Sequence, residues 1–436
     1  MRVTVVGTGH VGLVTCASLA ALGHEVVGTD ADGEKIAQLQ RGLSPFFEPG
    51  LDELVREGVA SGRLNFTSEM AEAVPGAEVI FISVGTPPKV DGEANLIAVE
   101  SVAREVARHA TVEGVLVEKS TVPAGTGARL RRAMRHESGA HLLEVASNPE
   151  FLSEGTAVRD AMEPQRILVG ADSERAFQAM RRLYAPLVER GTPLIETDVE
   201  TAELAKYVCN AFLALKVSFI NAVARVCERT GADVVDVADV MGADPRIGRS
   251  FLNAGLGFGG SCFPKDVRAF QRLVGRLGYE FPLLDEVVRV NEESLEATLE
   301  KVREALWNVE GKRVAVLGLS YKPGTDDVRF SPAMVLVQRL LSEGATVVAY
   351  DPHALSNAKA EVPEIEVATD PYDAAEGAHC LVICTEWDEF HRLDVERIAR
   401  AMAHPLIVDG RNVLDPAVVG AAGLSYFPTG RPMVVR

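Results

Sequence analysis

The sequence predicts an α/β protein in which two doubly wound parallel-sheet domains are joined by a central region of long helices. Apolar runs of strand length alternate with helical patterns over residues 1–199 and again over residues 307–436, as they do in βαβ units. Residues 200–306 instead show helical periodicity with almost no strand signal. The length of 436 residues also exceeds the size of a domain built on a single hydrophobic core. We therefore expect three regions with boundaries at residues 199 and 306.

The elements of these regions follow from the period of the apolar residues. In the first domain we expect strands at 3–6, 25–29, 78–84, 115–119 and 167–170 and helices at 11–22 and 97–109. A helix over 203–230 opens the central region. The last domain repeats the rhythm with strands at 313–317, 345–350, 380–384 and 406–408 and a helix at 332–343. Because helices separate successive strands, both sheets are expected to be parallel.

The glycine-rich turn after the first strand is typical of a dinucleotide-binding site. Gly7, Gly9 and Gly12 have GxGxxG spacing between a strand and a helix, and Asp30 ends the next strand. The helix start offers N–H groups to a pyrophosphate. Asp30 favours NAD over NADP, because a carboxylate accepts hydrogen bonds from a ribose diol and repels a 2′-phosphate. The first domain is accordingly predicted to be Rossmann-like, and the repeated βαβ rhythm predicts the same for the last domain. The alternative for the fingerprint is a glycine turn of purely structural use.

Composition excludes several classes of partner. The chain has 44 Lys and Arg against 62 Asp and Glu, a net charge of −18, so neither nucleic acid nor an anionic membrane is expected as a partner. Membrane-spanning runs are not evident, and the glycines of the first 22 residues argue against a secretory signal, so a cytoplasmic protein is expected. The six cysteines lack metal-type spacing, so no metal is expected, and five should pack as small buried hydrophobes.

Two hydroxyl-bearing motifs follow predicted strands. They are Gly85-Thr86-Pro87-Pro88 and Ser120-Thr121-Val122-Pro123, and the carboxyl ends of parallel strands border the ligand crevice of such a sheet. Thr86 and Thr121 are therefore candidate nicotinamide or water contacts. Ordinary turn chemistry would select the same residues.

Residues 148–154 hold two carboxylates, Glu150 and Glu154, which would share a face if the segment were helical. Glu154 is then a candidate catalytic or water-binding group. The alternative is an ordinary helix start, with Asn148 as the N-cap and Pro149 in the first position.

Lys206 and Asn210 lie one turn apart on the long central helix. Together they are suitable donors to a developing oxyanion, and their apolar neighbours argue against a fully solvated face, which is the alternative.

Cys262 is the candidate nucleophile. It follows a run rich in glycine, residues 255–261, which allows the backbone to approach a ligand closely. Pro264 suits the first turn of a helix, whose positive end would stabilise a thiolate, and Asp266 is placed for proton transfer or for fixing a cation such as Lys206. The alternative is a buried, inert cysteine with a capping aspartate. A basic set is available to neutralise a diphosphate: Arg246, Lys322, Arg329 and Arg411.

Taken together these motifs resemble the UDP-glucose/GDP-mannose dehydrogenase family of nucleotide-sugar dehydrogenases over essentially the whole chain. Besides the fingerprint with Asp30, the resemblance rests on Phe47-Glu48-Pro49-Gly50-Leu51, Val84-Gly85-Thr86-Pro87, Ser120-Thr121-Val122-Pro123, residues 148–154, Lys206 with Asn210, residues 258–266 and residues 321–332. It implies an NAD-binding N-terminal domain, a central helical region that forms a homodimer and a C-terminal domain that binds the nucleotide sugar.

The resemblance also implies site residues. Cys262 is the implied nucleophile, with Thr121, Glu154, Lys206, Asn210 and Asp266 around the reacting carbon. NAD contacts are expected at Gly7, Gly9, His10, Val11, Gly12, Asp30, Lys35, Thr86, Thr121, Glu154, Lys265 and Arg329. Sugar-nucleotide contacts are expected at Glu150, Phe151, Leu152, Glu154, Lys206, Asn210, Arg246, Ile247, Phe251, Asn253, Gly255, Gly257, Phe258, Gly259, Cys262, Tyr321, Lys322 and Arg411. Arg246 resembles an arginine that reaches across the dimer, and Asn253 stands where some members carry lysine.

The implied reaction is oxidation of UDP-glucose to UDP-glucuronate, with two NADH per turnover and a thiohemiacetal and a thioester on Cys262. Lys206, or a water held by Asp266, Thr121 and Glu154, is expected to take the alcohol proton. One alternative is GDP-mannose or another nucleotide sugar as the substrate. A two-electron hydroxyacid dehydrogenase would use a lysine and an asparagine without Cys262, and a non-catalytic NAD-sensing protein would bind NAD without turnover.

Overall fold

The computed structural model describes residues 1–435, which divide into two compact units. The first unit comprises Met1–Cys209 and Arg268–Arg276, and the second comprises Asn210–Val267 and the chain from Leu277 onward. Two helices contribute residues to both units. Each unit contains one β-sheet flanked by helices, as the sequence predicts.

The first unit contains eight strands. They are β1 Arg2–Val6, β2 Glu25–Thr29, β3 Leu64–Thr67, β4 Val79–Ile82, β5 Gly114–Glu118, β6 Leu143–Ser147, β7 Ile167–Ala171 and β8 Leu194–Thr197. Its helices are α1 His10–Ala21, α2 Gly33–Leu39, α3 Leu51–Ala60, α4 Met70–Ala73, α5 Ile97–His109, α6 Thr126–Met134, α7 Ala157–Met162 and α8 Glu174–Val188.

The strand order of this sheet is β3-β2-β1-β4-β5-β6-β7-β8, so the direction of chain winding reverses between β1 and β4. A crevice opens at such a reversal, at the carboxyl ends of the strands. The glycine fingerprint follows β1, residues 84–87 follow β4 and residues 120–123 follow β5. The sheet therefore places three of the predicted motifs at its carboxyl edge.

The expectation of an all-parallel first sheet was wrong at one pair. β6 and β7 are antiparallel, with Ser147 opposite Gly170. Their connection contains only the six-residue α7, whose Ala157 packs into the core on the α1 side of the sheet. An antiparallel pair needs no long crossover helix, which is why this short connection suffices.

The inner strands of the first sheet, such as β1, β4 and β5, are buried on both faces. Val3, Val5 and Phe81 enter one hydrophobic cluster, whereas Ile80 and Ile82 enter a second cluster with residues of α5 and α6. Successive side chains of a strand point to opposite faces, so strands between two helical layers are apolar throughout. This explains why continuous apolar runs marked these strands in the sequence.

The central helices are α9 Val199–Thr230, α10 Val234–Gly242, α11 Phe263–Arg276 and α12 Pro282–Leu306. Residues 200–306, all of which the structure describes, contain no strand, as predicted. α9 begins four residues before the predicted start. Within residues 1–435, α9 is the single helix that is long and apolar enough to cross a membrane. However, 44% of its apolar 18-residue segment is buried inside the protein.

The second sheet has six strands in the order β11-β10-β9-β12-β13-β14, all parallel. The strands are β9 Arg313–Leu317, β10 Thr346–Tyr350, β11 Glu366–Val367, β12 Cys380–Ile383, β13 Leu406–Asp409 and β14 Ser425–Pro428. The helices are α13 Pro332–Ser342, α14 Leu355–Glu361, α15 Pro371–Ala375, α16 Val395–Ala401 and α17 Pro416–Ala421. Winding reverses between β9 and β12, so the residues after β9, including Tyr321 and Lys322, lie at a second switch point.

Candidate active site

The glycine fingerprint has the geometry of a dinucleotide-binding turn. Gly7 has φ +95°, and a Cβ there would lie 2.6 Å from the carbonyl oxygen of Ser83. A Cβ on Gly12 would collide with the carbonyl of Gly7. By contrast, a Cβ on Gly9 would meet no protein atom within 4 Å. Two glycines therefore allow tight packing of turn, strand and helix, whereas Gly9 leaves open backbone for a pyrophosphate at the start of α1.

Asp30 lies just past β2, beside the fingerprint. Its carboxylate accepts hydrogen bonds from the Thr8 amide at 2.9 Å and the Thr8 hydroxyl at 3.0 Å, and it pairs with Lys35 Nζ at 3.1 Å. Desolvation by burial raises the pKa of Asp30, but the hydrogen bonds, led by that from the Thr8 amide, outweigh it, and the pKa lies below its ordinary value. The side chain is thus an anion at neutral pH, as recognition of a ribose diol requires.

We expect Asp30→Ala to raise the KM for NAD about tenfold or more, because a hydrogen bond to a charged group is worth about 1.5–3 kcal/mol. The preference for NAD over NADP should fall as well, since the repulsion of a 2′-phosphate is lost. Initial rates with both cofactors test this, with the exposed Glu34→Gln on α2 as the control. An unchanged KM for NAD would contradict the assignment.

Lys206 forms a buried ion pair in the first unit. Its Nζ lies 3.0 Å from Glu150 Oε1, and both residues are at most 6% exposed. Glu150 Oε2 also accepts the Leu152 amide at 2.5 Å, and the Phe151 ring lies 5.4 Å from Lys206 Nζ. Desolvation by burial raises the pKa of Glu150, but the charge and hydrogen bond of Lys206, together with the Leu152 amide and the charge of Lys119, outweigh it, so the pKa is lowered. The prediction that Lys206 is not a solvated surface lysine is confirmed.

The alternative interpretation of residues 148–154, a helix start with Asn148 as the N-cap, was wrong. Residues 148–153 have no regular secondary structure and α7 begins only at Ala157, so Glu150 and Glu154 do not share a helical face. The Asn148 side chain is buried and makes tertiary hydrogen bonds instead: to Lys119 Nζ at 3.0 Å, to the Tyr184 hydroxyl at 2.5 Å and to the Leu168 carbonyl at 2.6 Å. An asparagine before a proline looks the same in sequence whether its amide caps a helix or reaches distant partners.

Lys119, the residue directly after β5, is a buried cation that was not predicted from the sequence. Desolvation by burial lowers its pKa to about 8, partly offset by attraction to Glu150, and Lys206 lowers it further by repulsion. Its signal was a pair of charged residues, Glu118 and Lys119, directly after an apolar run and immediately before Ser120-Thr121. Lys119, Glu150 and Lys206 thus form a charge cluster in the first unit.

We expect Lys119→Met to change the pH dependence of stability. The folded-state pKa of about 8 is below the ordinary 10.5, so between these values the unfolded chain holds the extra proton and wild-type stability rises with pH. Below pH 8 the folded protein bears the full cost, up to about 3 kcal/mol at 1.36 kcal/mol per pKa unit.

The variant should therefore gain stability relative to wild type at pH 7, and this gain should shrink toward pH 10.5. Denaturant unfolding of both proteins at several pH values measures it. If the difference in unfolding free energy did not depend on pH, burial of the charged Lys119 would not destabilise the folded protein.

In the second unit, Cys262 directly precedes α11. Its carbonyl accepts the Asp266 amide at 2.8 Å, so Cys262 occupies the N-terminal end of the helix, with Pro264 in the first turn as predicted. The Ser261 hydroxyl lies 3.7 Å from the Cys262 thiol. The positive end of a helix stabilises a thiolate. Cys16, Cys227, Cys380 and Cys384 are buried, as predicted, whereas Cys209 is only partly buried.

Asp266 joins α11 to α9. It is fully buried, accepts Asn210 Nδ2 at 2.6 Å and lies 2.5 Å from Lys265 Nζ. Asn210 is only 5% exposed, and this bond fixes its amide orientation while a second N–H remains for another acceptor. The structure thus brings Asn210 and Lys265 together at Asp266, which lies one helical turn after Cys262.

The glycines before Cys262 pack against protein. A Cβ on Gly260 would lie 2.6 Å from the Tyr321 ring, and one on Gly257 would lie 2.6 Å from Asn291 Oδ1. Gly257 and Gly260 also have positive φ values of +108° and +80°. Phe258 is held by Asn291, whose Oδ1 accepts the Phe258 amide at 2.6 Å. The loop shape that presents the thiol therefore depends on close packing within the second unit, which sequence reasoning did not foresee.

The predicted basic residues have different environments. Arg411 is mostly buried, donates through Nε to the Cys384 carbonyl at 2.9 Å and lies 3.3 Å from Glu386. Lys322 Nζ lies 5.7 Å from the Tyr321 ring. Arg246 and Arg329 are exposed and pair with Asp244 and Asp327. Arg411 and Lys322 thus border one switch point, whereas the other two arginines project from the surface.

The remaining predicted residues are placed as follows. Thr86 donates its hydroxyl to the Thr121 carbonyl at 3.0 Å, which links the loops after β4 and β5. Ile247 and Phe251 are exposed apolar side chains, and Asn253 accepts Arg249 Nη1 at 2.7 Å. The assignment of Lys265 and Arg329 to NAD stays a prediction.

Comparison with known proteins identifies the family of this chain. Residues 1–188 match the NAD binding domain of the UDP-glucose/GDP-mannose dehydrogenase family, residues 200–293 its central domain and residues 315–416 its UDP binding domain. The chain belongs to this family. NAD is therefore its cofactor, and the chain is an NAD-dependent oxidoreductase. The open backbone at Gly9 and the anionic Asp30 fit that cofactor.

Individual members of the family match over the whole chain. The UDP-glucose 6-dehydrogenase of Rhizobium meliloti (strain 1021) is 46% identical over 99% of this chain and 100% of its own length. The UDP-glucose 6-dehydrogenase YwqF of Bacillus subtilis (strain 168) is 43% identical over 100% of this chain and 99% of its own length. A UDP-glucose dehydrogenase structure from Pyrobaculum islandicum has a TM-score of 0.92 and 38% identity, and covers 99% of this chain and 98% of its own.

Proposed function

We propose that this dehydrogenase oxidises UDP-glucose to UDP-glucuronate in two oxidation steps, with Cys262 as the covalent nucleophile. The observation that carries the proposal is the placement of Cys262 at the N-terminal end of α11, with Asn210 and Lys265 bonded to Asp266 in the next turn. The names of the similar proteins support UDP-glucose as the substrate. A thiol in this setting serves an oxidation that continues from an aldehyde to an acid.

The reaction balances as one primary alcohol, one water and two NAD giving one carboxylate, two NADH and three protons. Bound NAD supplies the hydride acceptor in each oxidation. After the first oxidation the Cys262 thiolate adds to the aldehyde carbon, forming a C–S bond and a thiohemiacetal. Loss of the second hydride leaves a thioester. Water then adds to the thioester carbonyl and the C–S bond breaks, which releases the acid and regenerates the thiolate.

Lys206 and Asn210 would stabilise the oxygen of these covalent species. Each provides N–H donors from a buried position on α9, and a low-dielectric setting strengthens such hydrogen bonds. Asp266 orients the Asn210 amide, and Glu150 fixes the Lys206 ammonium. A water bound by Thr121, Glu154 and Asp266 would serve the proton transfers and the hydrolysis. Because Lys206 is held in an ion pair with Glu150, we assign Lys206 to the oxyanion and the water to the alcohol proton.

Binding of the nucleotide sugar would involve the rest of the predicted set. Phe151 and Leu152 follow Glu150, and Arg411 and Lys322 would meet the diphosphate at the switch point after β9. A diphosphate suits such cations, since the chain is otherwise strongly acidic. The other proposed sugar-nucleotide contacts are Ile247, Phe251, Asn253, Gly255, Gly257, Phe258, Gly259 and Tyr321.

The stoichiometry of NADH tests this proposal. Purified protein with limiting UDP-glucose and excess NAD should form two NADH per sugar, and UDP-glucuronate should appear in equal amount to the UDP-glucose consumed. Matched reactions with GDP-mannose and UDP-N-acetylglucosamine should be much slower. One NADH per sugar would favour the two-electron alternative, and faster turnover of GDP-mannose would overturn the substrate assignment.

A homodimer through the central helices is part of the proposal. Phe212, Phe219 and Val226 on α9 recur every seven residues and are 50–59% exposed, an apolar stripe that a partner helix would cover. The exposed Arg246 is then available to reach the partner's site. A cytoplasmic location is also part of the proposal, because thiols such as Cys262 stay reduced there.

We expect Phe212→Glu to weaken the dimer, because a carboxylate would be buried in an apolar contact. Sedimentation velocity at several protein concentrations should show a shift from dimer to monomer in this variant. Arg229→Glu, at the exposed end of the same helix, introduces an acidic residue outside the stripe and should remain dimeric. A monomeric wild-type protein would contradict the assignment.

A further inference from the structure

Glu48 is a buried carboxylate that the proposed chemistry does not use. It belongs to the Phe47-Glu48-Pro49-Gly50-Leu51 motif, which contributes to the family resemblance but contains none of the predicted site residues. Its side chain has no exposed surface. Buried carboxylates require hydrogen-bond partners, so the identity of those partners shows what Glu48 does.

The partners of Glu48 come from two separate parts of the first unit. Glu48 Oε2 lies 2.8 Å from Nε2 of His10, the first residue of α1 in the dinucleotide fingerprint. The same oxygen accepts the Gly155 amide at 2.7 Å, and Oε1 accepts the Ala157 amide at 2.8 Å. Gly155 directly follows Glu154. One carboxylate therefore bonds both the NAD-binding turn and the segment that carries Glu154.

The surrounding contacts hold Glu48 itself in place. Its carbonyl accepts the Leu51 amide at 3.1 Å at the start of α3, and Gly50 has φ +80°, a conformation that suits glycine. The Phe46 ring packs on the His10 ring with centroids 5.0 Å apart. The motif thus forms a rigid turn that presents one carboxylate to three donors, which is a positioning arrangement.

We propose that Glu48 is a positioning residue that couples the NAD-binding turn to the Glu154 segment. Through His10 it fixes the start of α1, and through Gly155 and Ala157 it fixes the backbone on the C-terminal side of Glu154. NAD bound at the turn then favours the ordered position of residues 154–157. The role of Glu154 in turnover rests on the proposed function, whereas the coupling of the two segments does not.

The variant Glu48→Gln tests this with little change in shape. An amide has one acceptor oxygen in place of two, so its NH2 group must face either the Ala157 amide or the Gly155 amide, donor against donor. One backbone hydrogen bond is lost in either orientation. Glu57→Gln is the matched control, since Glu57 is exposed on the neighbouring α3.

Hydrogen exchange followed by mass spectrometry is the direct measurement, on full-length protein with and without NADH. In wild type, NADH should slow exchange of the amides of residues 154–158. In Glu48→Gln these amides should exchange at least about tenfold faster without NADH, and NADH should protect them less. Titration of NADH by fluorescence should show a several-fold weaker Kd for Glu48→Gln and no change for Glu57→Gln.

The kinetic readout separates positioning from a general loss of structure. Glu48→Gln should raise the KM for NAD and lower kcat about tenfold, with the KM for UDP-glucose within twofold of wild type. If Glu48→Gln does not fold, the variant His10→Leu removes only the contact between Glu48 and the NAD-binding turn. It should still weaken NADH binding and the protection of residues 154–158 by NADH. Unchanged exchange and NADH affinity would overturn the proposal, as would equal loss in every parameter. Failure of UDP-glucose turnover in wild type would refute only the proposed reaction.

Discussion

Cys262→Ser should form essentially no UDP-glucuronate, with kcat lower by on the order of 10³-fold or more, as for the loss of other enzymatic nucleophiles. A serine hydroxyl has nearly the same size as the thiol but is not ionised at neutral pH, so the helix N-terminus gains no anion to stabilise. The variant keeps the backbone bond between the Cys262 carbonyl and the Asp266 amide, and its unfolding free energy should stay within about 1 kcal/mol of wild type.

The control for this variant is Cys209→Ser, in which the only other partly exposed cysteine is changed. It should retain activity. Formation of UDP-glucuronate by Cys262→Ser at the wild-type rate would show that the thiol is not needed. A slow first oxidation that yields one NADH and a released aldehyde would instead be the expected residual reaction.

Lys206→Met should lower kcat by about 10²- to 10³-fold, the range seen when one oxyanion donor is removed. Methionine replaces the aliphatic stem without the charge. The variant should also be less stable by about 3–5 kcal/mol, because it leaves the buried Glu150 carboxylate without its ion-pair partner at 3.0 Å.

The double variant Lys206→Met/Glu150→Gln separates these two effects. Removing both charges should restore most of the stability but not the activity. Lys89→Met, on an exposed loop, is the control for lysine loss. Full activity in a folded double variant would contradict a role for Lys206 in the reaction.

Local signals in the sequence were sufficient for much of the fold and the cofactor site. The strand at 25–29 and the helix at 97–109 have the predicted bounds. The helix buries Val99, Ala103 and Val106 at helical spacing, and the strand ends directly before Asp30. Asp30 and the fingerprint glycines could be assigned because their function depends on neighbours close in the chain. Short edge strands such as Leu194–Thr197 were missed, since they are only partly buried and show no clear alternation.

The predictions that failed or were not made concern residues whose hydrogen-bond or charge partners are distant in the chain. Asn148 caps no helix because its amide bonds Lys119 just after β5, Leu168 of β7 and Tyr184 of α8. Lys119 is buried near Glu150 because the order of strands places β5 beside β6. Glu48 bonds amides more than 100 residues away. None of these pairings leaves a periodic or spacing signal in a single sequence.

The most direct test of covalent catalysis is mass spectrometry of the Cys262 peptide from enzyme quenched with acid during turnover of UDP-glucose and NAD. The measurement should be made on wild type and on Glu154→Gln, in which slower hydrolysis should allow the thioester to accumulate. We predict a UDP-glucuronyl thioester on Cys262, more abundant in the variant and absent without NAD. Steady formation of two NADH per sugar with Cys262 unmodified in both proteins would contradict the account.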